Sequence, residues 1–228
     1  MKALHVAIIP DGLRRWAKMT GISYDSSYKL MCEKLRDFAV ECFSLGVEIV
    51  TLYLSSVNNF TRTNEDIESG CIAERDLCLQ LLPEVAQKFD VKVVNAGTLT
   101  VLPDYLREAA LLLQAKTSDN KRHKLYLCQG YNPIDEVYYA FTNYRTGDDL
   151  FKYLWVTEPV DLIVRTGKGE VVTNLLPLQC AGHAKIHNFD ELFLGVTNED
   201  FSNVVSRFIA HGITSIQSVD DILNKGFL

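Results

Sequence analysis

The sequence predicts one α/β domain over residues 1–228, a mostly parallel sheet flanked by helices. Three observations predict it. Short apolar runs alternate with helix-periodic segments; 228 residues can bury one sizeable core; and the residues with chemical character sit where the apolar runs end. Val6 to Ile9 reads as a buried strand that stops at Pro10. Leu30, Met31, Leu35, Phe38, Ala39, Cys42, Phe43 and Leu45 recur at helical spacing and stop at Gly46, whose missing Cβ suits a left-handed cap. Val47 to Leu54, rich in β-branched residues, is the next strand. Asn64 to Phe89 is mainly helical, with Asn64 as its cap and a bend or break near Pro83. A strand at Val91–Val94, a helix at Asp104–Lys116 and a strand at Lys124–Cys128 follow. Pro133 suits the first position of a helix that runs to about Tyr144. Asp161 to Arg165 is again a strand, and Asn198 to His211 a helix that ends at Gly212. The segment from Ile213 is expected to pack on a partner subunit or fray. No internal repeat, low-complexity tract or linker interrupts the pattern.

Composition narrows the function classes. A formal net charge of −6 argues against a general nucleic-acid binder while leaving room for a local basic pocket. No apolar run reaches the ~18 residues of a membrane span, and the N-terminus lacks a signal-peptide pattern. Only peripheral membrane contact is left open. The six cysteines, at 32, 42, 71, 78, 128 and 180, form no C-x-x-C pair and sit mostly among apolar neighbours. They read as reduced core residues of a cytoplasmic protein.

The end of the first strand carries the strongest chemical signal. Pro10 is followed by Asp11, Gly12, Leu13, Arg14, Arg15 and Trp16. Gly12 allows a tight turn into a helix N-terminus, where free backbone N–H groups and the helix dipole favour an anion. Arg14 and Arg15 add charge suited to phosphate oxygens. Asp11 would repel that anion, and a divalent cation between them removes the conflict, since Mg²⁺ typically takes one or two carboxylates plus substrate phosphates. The plainer alternative is a surface turn with an Asp cap and solvated arginines. Placement at a strand end favours the ligand site, because open α/β sheets bind there.

The stretch His5, Ala7, Ile9, Asp11, Gly12, Arg15, Trp16, Ala17 resembles the first signature of the cis-prenyltransferases, the undecaprenyl-diphosphate-synthase family. Pro10 and Leu13 depart from it, Leu13 replacing an Asn. A second match lies after the second strand, where Ser56, Asn59, Arg62 and Glu65 fit the family pattern and Phe60 replaces its Trp. A third runs from Asp161 to Thr166. The resemblance implies the cis-prenyltransferase fold and an enzyme that binds an allylic isoprenoid diphosphate. It implies Mg²⁺ on Asp11, diphosphate contacts from Gly12, Leu13, Arg14, Arg15 and Trp16, orientation by Asn59 and support from Arg62. It also implies a homodimer, with the helices carrying Leu30–Phe43 and Ile67–Leu82 lining an apolar cleft for the prenyl tail. In elongating members two arginines and a serine hold isopentenyl diphosphate. Arg165 matches the first arginine, Thr173 can stand in for the serine, and Val171 occupies the second arginine position. Lys168 could restore a charge there, as a point donor rather than a fork. Lys185 falls where the family carries a metal-completing Glu, either to neutralise a diphosphate or simply to be solvated.

Gly21 to Tyr28 lacks the Arg and His of elongating members and looks more like the irregular branch that makes lavandulyl and cyclolavandulyl diphosphates. The segment around Lys185 resembles the tuberculosinyl-transferase branch. Function is therefore expected to be irregular, non-elongating prenyl transfer from dimethylallyl or geranyl diphosphate. The alternatives are terpene-synthase-like or nucleophile-capturing transfer, chain elongation, and a catalytically silent accessory subunit. Gly167-Lys168-Gly169 lacks the remaining residues of a P-loop. His183 and His187 could share a helical face, but the zinc-protease Glu is missing between them. Gly130 to Val137 matches the family only loosely and is assigned structure rather than chemistry.

Overall fold

The computed structural model describes residues 3–167, 175–182 and 184–211. In chain order it contains β1 (His5–Ile9), α1 (Leu13–Thr20), α2 (Tyr24–Ser44), β2 (Ile49–Tyr53), α3 (Asn64–Asp76), α4 (Leu82–Phe89), β3 (Val91–Ala96) and α5 (Asp104–Lys116). There follow β4 (His123–Cys128), α6 (Pro133–Asn143), β5 (Leu162–Thr166), α7 (Pro177–Cys180), β6 (Lys185–Phe189) and α8 (Asn198–Ala210). The strands form a single sheet in the order β3-β4-β2-β1-β5-β6, and every pairing is parallel.

A parallel sheet covered on both faces needs near-continuous apolar strands, and β1 is buried at all five positions. Its alternating side chains feed two core layers. Val6 and Ile8 pack with Met31, Leu35 and Phe38 of α2 and with Phe201 of α8. Ala7 and Ile9 face the other layer, with Tyr126, Tyr131, Val156 and Val160. Phe38 stacks on Phe201 with ring centroids 3.9 Å apart. The order of strands reverses at β1: the chain first builds β2, β4 and β3 on one side, then β5 and β6 on the other. That reversal opens a crevice at the carboxyl ends of β1 and β5, where open α/β sheets hold ligands.

Four expectations change in detail. Thr63, not Asn64, caps α3, its hydroxyl accepting from Asp66 N. The bend near Pro83 lies one turn earlier, as a π-helical turn at Leu77–Leu81. Proline has no N–H and crowds the carbonyl four residues before it, so the widened turn absorbs the misfit and the helix resumes as α4. α8 is capped at His211, and Gly212 lies outside the described residues. The segment read as a possible helical face for His183 and His187 is instead the edge strand β6, paired to β5 along its length. Its largely polar sequence hides a strand whose outer side faces solvent, and His183 lies outside the described residues. The six cysteines are unpaired; five are buried and Cys180 is half-buried. Among the described residues no helix is long and apolar enough to cross a membrane.

Candidate active site

The turn after β1 is fixed from both sides before any charge is considered. Asp11 N donates to Thr166 Oγ1 at 3.1 Å, and Asp11 O accepts from Thr166 Oγ1 at 3.0 Å and from Phe193 N at 3.1 Å. Gly12 sits at φ 101°, and a Cβ there would lie 2.6 Å from Leu192 Cδ2. Only glycine fits that corner. The corner launches the eight-residue α1, whose first backbone bond runs from Trp16 N to Gly12 O and whose N-cap has no side-chain hydrogen bond. The N–H groups of its first turn are therefore presented outward, with the positive end of the helix dipole.

A cavity of about 750 Å³ lies in front of this turn, lined by Asp11, Gly12, Leu13, Arg14, Arg15 and, from the far wall, Asn59, Arg62 and Glu65. Both oxygens of Asp11 are engaged. Oδ1 accepts from Arg15 Nη2 at 3.3 Å and Oδ2 from Arg165 Nη2 at 3.1 Å. Arg15 Nη2 also donates to Gly167 O at 3.0 Å. Asn59 spends its oxygen locally, accepting from Ser56 Oγ at 2.8 Å and Ser56 N at 3.3 Å. That leaves its amide nitrogen as the group available to a ligand.

Asp11 suits a cation that arrives with its own phosphate oxygens. Among the described residues no cluster of three His, Cys, Asp or Glu forms a protein cage, so Asp11 would supply one carboxylate and a diphosphate the rest. This donor set is hard oxygen throughout and fits Mg²⁺.

Trp16, expected at the substrate, is turned away from it. The helical period sends Leu13, Arg14, Ala17 and Lys18 to the cavity, while the Trp16 ring lies against Gly195. Thr173, Lys168 and Val171 lie outside the described residues. Lys185 opens β6 opposite Leu162, at the amino end of the strand, with its Nζ 5.6 Å from the centre of the Phe208 ring. Within this chain it stands at the amino ends of the strands, whereas Asp11 stands at the carboxyl end of β1. His5, part of the first signature, is buried between strands, its Nε2 2.7 Å from Thr51 Oγ1. Burial holds it neutral, with its pKa pushed down to about 4. Glu136, on α6 in the loosely matching Gly130–Val137 stretch, accepts from Tyr131 OH, Val156 N and Gln179 Nε2 at 2.6, 3.0 and 3.0 Å, a structural knot.

The inner end of the cavity holds residues that sequence reasoning missed. Tyr28 OH on α2 donates to Asp66 Oδ1 on α3 at 2.6 Å, and Arg62 Nη1 donates to Tyr28 OH at 3.1 Å. Arg14 approaches Asp66 Oδ2 at 4.0 Å. The Tyr28 ring packs beside Gly70, where a Cβ would lie 3.6 Å away, an ordinary contact. The expected apolar cleft between α2 and α3 is consequently reduced to a cavity of about 20 Å³, one water in size. Beyond it, buried Glu74 accepts from Gln129 Nε2 at 2.9 Å and Ser55 Oγ at 3.3 Å. Desolvation pushes the Glu74 carboxyl up to about 7. No local pattern links Tyr28 to a partner 38 residues away, so the lock had no signal in the sequence.

Known proteins share this architecture. Residues 9–212 match the family described as "Putative undecaprenyl diphosphate synthase". The isoprenyl transferase of Campylobacter jejuni is 26% identical over 210 residues, covering 90% of this chain and 94% of its own. Dehydrodolichyl diphosphate synthase 6 of Arabidopsis thaliana is 34% identical over 138 residues, 60% of this chain and 47% of that protein, so the match spans about half of that relative. The crystal structure of lavandulyl diphosphate synthase from Lavandula x intermedia, in complex with dimethylallyl diphosphate, superposes with a TM-score of 0.81 at 20% identity, covering 89% of this chain and 93% of that one. The crystal structure of a "probable undecaprenyl diphosphate synthase" from Campylobacter jejuni superposes at 0.74 with 23% identity, covering 94% and 98%. The fold expected from the sequence motifs is the fold observed.

Proposed function

The chain belongs to the undecaprenyl diphosphate synthase family of prenyltransferases, and from that premise we propose that it transfers a short allylic unit, dimethylallyl or geranyl, to a second prenyl unit without repeated elongation. One observation carries the reading: a cavity with a cationic mouth at a helix N-terminus and a hydrogen-bonded stop at its inner end. The mouth suits a diphosphate, and the stop suits a short tail. The solved lavandulyl diphosphate synthase, with dimethylallyl diphosphate bound, lends support. So does Val171, which cannot bond a phosphate oxygen at the position of the second arginine.

In this reading the N–H groups of the first turn of α1, with Arg14, Arg15 and Arg62, bind the allylic diphosphate. Mg²⁺, held by Asp11 with the diphosphate oxygens, would neutralise charge on the leaving group. The guanidiniums and N–H groups stabilise pyrophosphate as the allylic C–O bond breaks and its electron pair departs with oxygen. Asn59 would orient the reacting groups through its amide nitrogen. The π pair of the second prenyl alkene forms the new C–C bond, and loss of a proton from the resulting cation completes the product. Arg165 and Thr173 would serve the second partner.

A homodimer belongs to the same reading, supported by an apolar face on α6. Ile134, Tyr138 and Phe141 lie at helical spacing and are 75%, 72% and 64% exposed. Pyrophosphate release from a panel of allylic diphosphates, alone and in pairs with Mg²⁺, tests the function. Release that depends on a second prenyl diphosphate supports coupling. Release with one substrate alone would favour cyclisation or capture by another nucleophile, and none at all would favour the silent-subunit alternative.

A further inference from the structure

The corner that carries Asp11 and Gly12 is braced from outside the cavity. Residues 190–196 join β6 to α8 through a single 3₁₀ turn at Phe193–Gly195, and they pack against the back of that corner. Phe193 N donates to Asp11 O at 3.1 Å, and Glu191 O accepts from Gly167 N at 2.7 Å. The Leu192 side chain occupies the place a Gly12 Cβ would need, and Gly195 lies against the Trp16 ring of α1. Residues 190–196 are not among those lining the cavity. They bear on a ligand only through the backbone they hold, the turn that aims the first N–H groups of α1.

Lys34 on α2 holds this connection in turn. Its Nζ donates to Leu194 O at 2.9 Å and also to Val196 O. The same ammonium lies 6.0 Å from the ring centres of both Phe38 and Phe193. Lys34 and Phe38 are four residues apart and share a face of α2. Because Phe38 stacks on Phe201, that one face grips both α8 and the chain leading into it. Lys34 is half-buried, and desolvation lowers its pKa from the ordinary lysine value. Its charge is directed at two main-chain carbonyls rather than at an anion, and a hydrogen bond from a charged donor is stronger than a neutral one.

We propose that Lys34 is a positioning residue for the anion-binding corner, acting through the Phe193 turn without touching substrate. Loss of its two bonds frees the turn, and with it the carbonyl of Asp11 and the Leu192 side chain that fixes Gly12. The donors in front of the cavity stay chemically intact but lose their aim, which weakens transition-state stabilisation more than ground-state binding. The proposal rests on the diphosphate reading of the corner, so its test has one readout that needs turnover and one that does not.

Lys34→Met keeps the length of the side chain and removes its donors. Amide hydrogen exchange by NMR should show the Phe193 and Gly167 N–H groups exchanging about tenfold faster than in the wild type, relative to Leu52 in β2. With dimethylallyl diphosphate and Mg²⁺, kcat for pyrophosphate release should fall about tenfold while KM changes less than about twofold. Val85→Ala on α4 is the control for a general loss of stability, since Val85 is buried in the same core away from the corner. It should leave kcat unchanged and keep all three amides in step. Lys34→Arg, which retains the charge and can donate to both carbonyls, should recover most of the lost kcat, and a loss as deep as that of Lys34→Met would contradict the proposal. Exchange at Phe193 and Gly167 that stays in step with Leu52 in Lys34→Met would overturn it whatever the kinetics show. No turnover by the wild type would count against the functional reading, and exchange would still decide the role of Lys34. Should Lys34→Met not fold, Lys34→Gln takes its place with the same expectations.

Discussion

Arg14 and Arg15 at the mouth of the cavity are more than half exposed, whereas Tyr28 and Asp66 at its inner end are almost fully buried. Both ends use charge, but to different effect. Exposed guanidiniums contribute little to stability and keep the freedom to close around an anion. A buried carboxylate held by a phenol and an arginine is costly to disturb, since a hydrogen bond to a charged group contributes about 1.5–3 kcal/mol. In the proposed reading the mouth binds and the inner end sets length.

If the mouth does the chemistry, Asp11→Ala should have the largest effect. Pyrophosphate release should fall about a thousandfold, with an unchanged melting temperature, and EDTA should do the same to the wild type. A loss of folding would instead make the residue structural.

Glu74 marks the inner end by its response to pH. Burial raises its folded pKa to about 7, above the ordinary carboxyl value of 4.5. A raised carboxyl pKa means that the folded protein holds the proton more tightly, so its contribution is fully present below pH 4.5 and is lost as pH rises through 7. Urea unfolding should show stability falling by up to about 3 kcal/mol across that window, and Glu74→Gln should flatten the slope. An identical slope in the variant would place the titration elsewhere.

The stop separates into bulk and hydrogen bond. Tyr28→Ala should raise the preference for farnesyl over dimethylallyl diphosphate about tenfold by opening the space beside Gly70 and Cys71. Tyr28→Phe keeps the ring, so it should retain the preference while costing about 1–2 kcal/mol of stability by removing the phenol donor to Asp66 Oδ1. Equal preferences in all three proteins would remove Tyr28 from length selection.

Asn59 should show the smallest effect. Asn59→Ala is expected to lower kcat several-fold, roughly 1 kcal/mol, more than it weakens binding. A change confined to KM would make the residue a binding contact only.

This contrast between the ends also explains what the sequence could reveal. The mouth is assembled from contiguous residues, Pro10 to Arg15, at the end of an apolar strand, and β1, α2, α5 and α8 were visible from periodicity and caps. The inner end is assembled from α2, α3 and the ends of β2 and β4, so no local spacing brings Tyr28 to Asp66 or Glu74 to Gln129. Trp16 was misplaced because a motif gives residue types, not the helical phase that turns its ring toward Gly195. Strand β6 was missed because an edge strand with a polar outer side loses the apolar signature of its neighbours.

The central claim, that this chain couples short prenyl units rather than elongating them, is tested most directly by sizing products. The enzyme is incubated with Mg²⁺, labelled isopentenyl diphosphate and either dimethylallyl, geranyl or farnesyl diphosphate, and dimethylallyl diphosphate is also supplied alone. A closed inner end and Val171 in place of an arginine predict short branched or cyclised products, with little incorporated isopentenyl label. A ladder of long cis-polyprenyl chains would contradict the account.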